Sequence, residues 1–255
     1  MATVEAELDE RSLKKCDVAS PRIAYRTSGG EEVSAVADRV RLAGLLGAAP
    51  WRTFRWYEGQ RHYSGQYWSV TERDLVIYES RLELAALLFA DFDTAVQRIV
   101  AQPFCMTAVI SGKVHRRIPD FLLATDDGPV VVDVIRSERL THTGVQLACS
   151  WTRQVLASVG WSYRIVSESP PQLLETVRFL AGYRRDWLID TRALAELRAQ
   201  AQGLVGLRID EAERRIASAP HPLVRSALLH MLWRQELTVD LTRPLASSTV
   251  LGSTR

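Results

Sequence analysis

The stretch that most constrains this chain is PVVVDVI at residues 129–135, a β-branched run with one carboxylate inside it. Side chains alternate from face to face along a strand, and here both faces are apolar. Residues 130–135 therefore read as a strand covered on both sides. Such a strand belongs at the centre of a sheet with helices or a second layer over it. Asp133 is the exception within the run. A carboxylate buried there costs several kcal/mol, roughly, unless it is paired, hydrogen-bonded or bound to a cation.

The neighbouring sequence builds the rest of the sheet. TDDGP at 125–129 is a turn, and residues 121–124 read as the strand before it. Pairing the two strands about Asp126 and Asp127 sets Asp120 opposite Asp133, with the register open by one residue. Directly opposed side chains lie about 5 Å apart at Cβ, where two carboxylates repel unless something positive is shared between them. A divalent cation with hard oxygen ligands resolves that conflict. Upstream, Leu82, Ala85, Ala86 and Phe89 recur at helical spacing, with Ser80 as the expected N-cap and an end near Asp91. Residues 105–110 and 114–118 flank Ser111 and Gly112 as a hairpin.

Downstream, a helix over 145–158 and a strand over 162–166 complete a strand, crossover helix and strand, the right-handed unit of an α/β core. Past Pro170 and Pro171 the segments 172–182, 191–202, 210–218 and 222–235 read as helices. ELTVDLTRP near the end alternates like a strand, as in a winged-helix-like module. The expected fold is α/β, a mixed sheet flanked by helices, followed by a mostly helical domain. Residues 1–75 are expected as an N-terminal extension, 76–169 as the α/β domain and 170–255 as the helical C-terminal domain.

Bulk properties exclude several classes. A net charge of +2 over 255 residues restricts nucleic-acid binding to local patches. Three cysteines, Cys16, Cys105 and Cys149, lack metal-ligand spacing and give no disulfide framework, which fits a reducing, cytoplasmic setting. The first residues are too acidic for a secretory signal, and no apolar run approaches the ~20 residues that span a bilayer, so no membrane partner is expected.

Each candidate residue has a functional and a structural reading. Glu83 stands three residues after Ser80, so it completes a capping box as readily as it offers a ligand. Asp120 follows Pro119 and could simply start a turn. In PWRTFRWYEGQRHYSGQYWS, Arg52, Arg55 and Arg61 alternate with aromatic residues, a pattern that grips phosphates and stacks on bases, or packs on the next domain. Lys113, His115 and Arg117 form either a basic supply for a nearby site or an exposed hairpin face.

A glutamate on a helix, Pro-Asp heading one strand and an acidic residue in an apolar strand together resemble the PD-(D/E)xK nuclease arrangement. The fuller set YESRLE, LLFADFDTAVQRIVAQPF, RRIPDFLLATDDG and VVVDV, covering about residues 50–170, is similar to TnsA-type endonuclease subunits of heteromeric transposases. The resemblance implies a restriction-endonuclease-like fold over residues 76–169. It also implies Glu83, Asp120 and Asp133 as catalytic residues and ligands of Mg²⁺ or Mn²⁺, with Glu79 as a secondary acid. Arg52, Arg55, Arg61 and Arg117 would contact double-stranded DNA at transposon ends. A DDE transposase subunit and an ATP-dependent regulator would be the partners. The family's lysine, two residues after the acidic strand position, has no counterpart, because this chain has Ile135. Arg136 points away on a regular strand and stays protonated, so it can clamp phosphate but not act as a base. A degenerate nuclease fold that only binds DNA, and a stand-alone restriction-like nuclease, are the alternatives.

Overall fold

The structure, a computed structural model, describes residues 16–52, 63–217 and 219–253. Up to Glu168 the elements in chain order are β1 (Val18–Arg26), β2 (Glu32–Val36), α1 (Leu42–Leu46), β3 (Gly65–Ser69), β4 (Asp74–Tyr78), α2 (Arg81–Phe92), β5 (Val96–Ala101), β6 (Cys105–Ile110), β7 (Lys113–Arg117), β8 (Phe121–Thr125), β9 (Gly128–Val134), α3 (Thr143–Ser158) and β10 (Ser162–Val166). From Ser169, where a second compact unit begins, come α4 (Pro171–Leu180), α5 (Thr191–Ala199), α6 (Ala201–Leu204), α7 (Ile209–Arg215) and α8 (His221–Trp233). The protein is mixed α/β, with antiparallel and mixed sheets flanked by helices and a helical C-terminal region.

The apolar run takes the interior place its composition demands. β9 lies between β10, which it pairs in parallel, and β8, which it pairs antiparallel, in a sheet of order β10-β9-β8-β5. Val130, Val131, Val132 and Asp133 are all buried. β8 and β9 are joined by Asp126 and Asp127 and stay in simple register from Thr125↔Gly128 to Phe121↔Val132. A second sheet of order β2-β1-β6-β7 is antiparallel throughout. One buried cluster joins the two sheets and α3, with Ile23, Met106, Leu122, Val131, Trp151 and Leu156 among its members. The N-terminal stretch is thus woven into the first unit, since β1 runs between β2 and β6.

Two features tie β3 and β4 to this frame. Asp91 on α2 is buried, yet its carboxylate accepts from Tyr67 Oη at 2.8 Å, Ser69 Oγ at 2.6 Å and the amides of Val70 and Thr71 at 3.2 and 2.9 Å. Four donors offset the desolvation of the charge. Gly65 faces Tyr78 across the hairpin, and a Cβ there would stand 2.3 Å from the Tyr78 hydroxyl, so a side chain at this position would force the Tyr78 ring to move.

In the second unit, Asp190 caps α5 by accepting from the Ala193 amide at 2.8 Å. α8 is buried along most of its length, from Val224 to Trp233, as expected of a central helix. Buried Glu213 on α7 meets His221 and Arg225, each at 2.8 Å. The alternating ELTVDLTRP forms no strand among the described residues. Thr238 makes a single bridge to Gly252, and Arg208 one to Val250, instead of a continuous wing.

Candidate functional site

The C-terminal end of β9 opens on a cleft of about 580 Å³ lined by Glu79, Glu83 and Asp120 and by four arginines, Arg81, Arg117, Arg136 and Arg139. Tyr63 forms part of its rim, with the Arg81 guanidinium 4.8 Å from the ring centroid. All of these residues belong to the first unit.

Glu83 is placed by the start of α2. Ser80 caps the helix, its Oγ accepting from the Glu83 amide at 3.1 Å and donating to Glu83 Oε1 at 2.9 Å. Glu83 Oε2 accepts from the Glu79 amide, one residue before the cap, at 2.7 Å. Glu83 therefore completes the cap of α2 and also lines the cleft. Burial pushes its carboxyl up from the usual range, against the hydrogen bonds from Glu79 and Ser80, while the charge of Glu79 adds to the rise and Arg52 opposes it.

Asp120 is placed by an irregularity at the head of β8. Phe121 is the register partner of Val132, but Asp120 also donates its amide to Val132 O, at 3.1 Å. Two residues answering to one is the arrangement of a β-bulge, and it corrects the expectation that Asp120 stands squarely opposite Asp133. The Asp120 carboxylate instead accepts the Val134 amide through Oδ2 at 2.6 Å. Burial, then the charges of Asp133 and Glu83, drive this carboxyl well above the usual carboxylate range, outweighing the Val134 amide and Arg117. Asp120 thus feels both of the other acids.

Asp133 is fully buried and does not line the cleft. Its side of the sheet is that of Val131 and of Tyr163, which is in register with Val131, and Val131 packs in the cluster with Trp151 of α3. Val132 faces the other way, toward Ala86 and Ala90 of α2. Asp133 consequently points to the side of the sheet away from α2, the helix that carries Glu83. Arg117 reaches Asp133 Oδ2 with Nη2 at 2.7 Å and Nε at 3.1 Å, and the Tyr163 hydroxyl donates to the same oxygen. Burial opposes the charge of Arg117, but the attraction of Asp133 prevails and holds the guanidinium firmly protonated. Burial, and then Asp133, raise the Tyr163 phenol well above its ordinary value, so it remains a donor. Asp133 Oδ1 is buried and has no hydrogen-bond partner among the described residues.

No family model and no curated protein matches this chain. The site must be judged on its own residues.

The remaining candidates fall around the cleft or away from it. Ile135 packs with Cys149 and Ile165, beside Leu140, Val145 and Tyr163, so the position two residues after Asp133 is filled by an apolar contact. Arg136 is exposed at the rim, 4.0 Å from Glu138. Arg52 is exposed, its Nη1 3.6 Å from Glu79 Oε2. Arg55 and Arg61 lie outside the described residues. Lys113 is exposed beside the β6–β7 turn and His115 sits opposite Ala108, and neither lines the cleft. Tyr163 and Gln102 join these residues without a motif of their own, Gln102 standing near the end of the segment LLFADFDTAVQRIVAQPF.

Two oxygen-donor carboxylates, Glu83 and Asp120, fit a hard divalent cation: they line one cleft, and the charge of Glu83 helps to raise the Asp120 carboxyl. Among the described residues no three His, Cys, Asp or Glu side chains form a group arranged to hold a metal ion. Asp133 acts on Asp120 through charge, not through the cleft surface. No helix among the described residues is long and apolar enough to cross a membrane.

Proposed function

We propose that the protein is a metal-dependent DNA endonuclease subunit of a heteromeric cut-and-paste transposase, similar to TnsA-type subunits, cleaving the non-transferred strand at the 5′ transposon ends. The observation that carries this reading is the position of Asp120. The bulge sets its carboxylate in a cleft with Glu83, backed by the charge of Asp133, and the same cleft is lined by four arginines. Carboxylates that need a cation, beside guanidiniums suited to phosphate oxygens, are the parts that phosphodiester cleavage uses. On this reading the first unit is a restriction-endonuclease-like domain, with β8 and β9 as its motif strands.

Glu83 and Asp120 would hold Mg²⁺ or Mn²⁺, with Asp133 lending charge from behind. The ion, when bound, activates water and stabilises charge developing on the scissile phosphate. The chain's own residues supply binding and orientation. Arg81, Arg136 and Arg139 clamp the phosphate backbone from the walls, and Ser80 fixes the Glu83 rotamer. A DDE transposase subunit and an ATP-dependent regulator complete the assembly.

A second reading, a nuclease fold that binds DNA without cutting it, is favoured by two observations. Ile135, just past the end of β9, puts no basic side chain at the lysine position, and Arg117 neutralises Asp133. Incubation of transposon-end duplexes with the protein and Mg²⁺, alone and with a cognate transposase, separates the readings. Cleavage that Asp120→Ala abolishes supports the first. Cleavage seen only after Ile135→Lys supports the second, and partner-free cleavage of unrelated DNA points to a stand-alone nuclease. Absence of scission under every pairing, with Asp120→Ala transposing like wild type, contradicts the endonuclease.

A further inference from the structure

Gln102 connects three parts of the acidic cleft through one residue. Its amide donates to Asp120 O at 2.8 Å, and its carbonyl accepts the Trp51 amide at 3.0 Å. Its side chain accepts the Arg52 amide through Oε1 at 2.9 Å and donates through Nε2 to Glu79 Oε1 at 2.6 Å. The orientation of the side-chain amide is fixed by chemistry, because a backbone N–H only donates and an ionised carboxylate only accepts. Gln102 is buried, and its φ of 47° lies in the left-handed region. A non-glycine residue there is uncommon, and a residue before proline is ordinarily held extended. Strain of this kind persists only where the surroundings over-determine it.

The consequence for the cleft follows from the partners. The backbone of Gln102 pins the bulged residue Asp120, and its side chain pins Glu79, whose amide in turn holds Glu83. With Oε1 of Glu79 bound to Gln102, Oε2 is turned toward Arg52. We propose that Gln102 is the positioning residue of this site, setting Asp120 and Glu79 around the cleft and joining them to the stretch that carries Arg52. It touches no reacting atom, and its effect on cation binding rests on the reading of the cleft as a divalent-cation site.

The variant that isolates the side chain is Gln102→Gly, since glycine accepts the left-handed backbone freely and keeps both backbone hydrogen bonds. Two measurements on the full chain separate the proposal from the reading beneath it. The first is carbodiimide-directed labelling of Glu79, read by mass spectrometry, with exposed Asp74 as internal reference. Labelling of Glu79 relative to Asp74 rises several-fold in Gln102→Gly if Gln102 holds that carboxylate, and an unchanged ratio overturns the proposal. The second is Mn²⁺ titration of the same variant. Affinity about tenfold or more below wild type is expected, because the variant frees Glu79, the residue whose amide holds the ligand Glu83. Wild-type affinity in Gln102→Gly, with labelling raised, overturns the link to the cation. A wild-type chain that binds no Mn²⁺ overturns the cation-site reading and leaves the labelling to decide the positioning role.

Discussion

Arg117 and Asp133 form an ion pair of 2.7 Å that joins the two four-stranded sheets, Arg117 coming from the edge strand β7 and Asp133 from the central strand β9. The carboxylate is wholly buried, whereas the arginine side chain keeps a quarter of its surface in solvent. Removing the arginine would strand a buried charge whose remaining partner among the described residues is the Tyr163 hydroxyl. Arg117→Ala is expected to destabilise the first unit by about 3 kcal/mol in denaturant titration. The double variant Arg117→Met, Asp133→Leu removes both charges together and is expected to cost much less. Equal losses in the single and double variants would show that packing, not the unpaired charge, dominates.

Asp120 is expected to weaken the fold at neutral pH. Its folded pKa is raised, so as pH climbs through the unfolded carboxylate range, near ~3.9, the unfolded chain ionises first and stability is lost until the folded value is passed. Asp120→Asn removes that penalty while an amide oxygen can still accept the Val134 N–H. The variant should melt above wild type at pH 7, with the difference closing as pH falls below about 4. A variant that melts below wild type at pH 7 contradicts the sign.

Much of this arrangement was legible because local rules and the fold agree. The run at 130–135, the β6–β7 hairpin, the capped α2 and the β9-α3-β10 crossover all follow from periodicity and turn chemistry. β5 was not legible, because a register shift between Val96 and Arg98 breaks its two-residue alternation. β1 and β2 escaped notice because both are largely half-buried or exposed and lack an apolar run. The bulge at Asp120 depends on how Gln102, Val132 and Val134 share its backbone and carboxylate, a long-range arrangement that no spacing reveals. Arg117 read as part of an exposed basic face, for its partner lies in the other sheet.

Ile135 fills an apolar pocket, and Ile135→Lys would place an ammonium among Cys149, Ile165 and Leu140. We expect a loss of about 2–3 kcal/mol, measured by thermal or urea unfolding. A neutral effect would mean that the new side chain reaches the cleft or Asp133 without disturbing that cluster.

Ser80→Ala should cost about 1 kcal/mol through loss of the N-cap. It should also weaken cation binding, because the hydroxyl holds Glu83 Oε1. Normal Mn²⁺ affinity in a Ser80→Ala protein of reduced stability would confine Ser80 to capping.

On the proposed reading Asp120 and Glu83 form one divalent-cation site, and calorimetric titration of Mn²⁺ into the wild-type chain, Asp120→Ala and Glu83→Gln at neutral pH decides it. Saturable binding to wild type that either substitution abolishes or severely weakens is expected. Wild type without saturable binding, or Asp120→Ala binding as well as wild type, would contradict it.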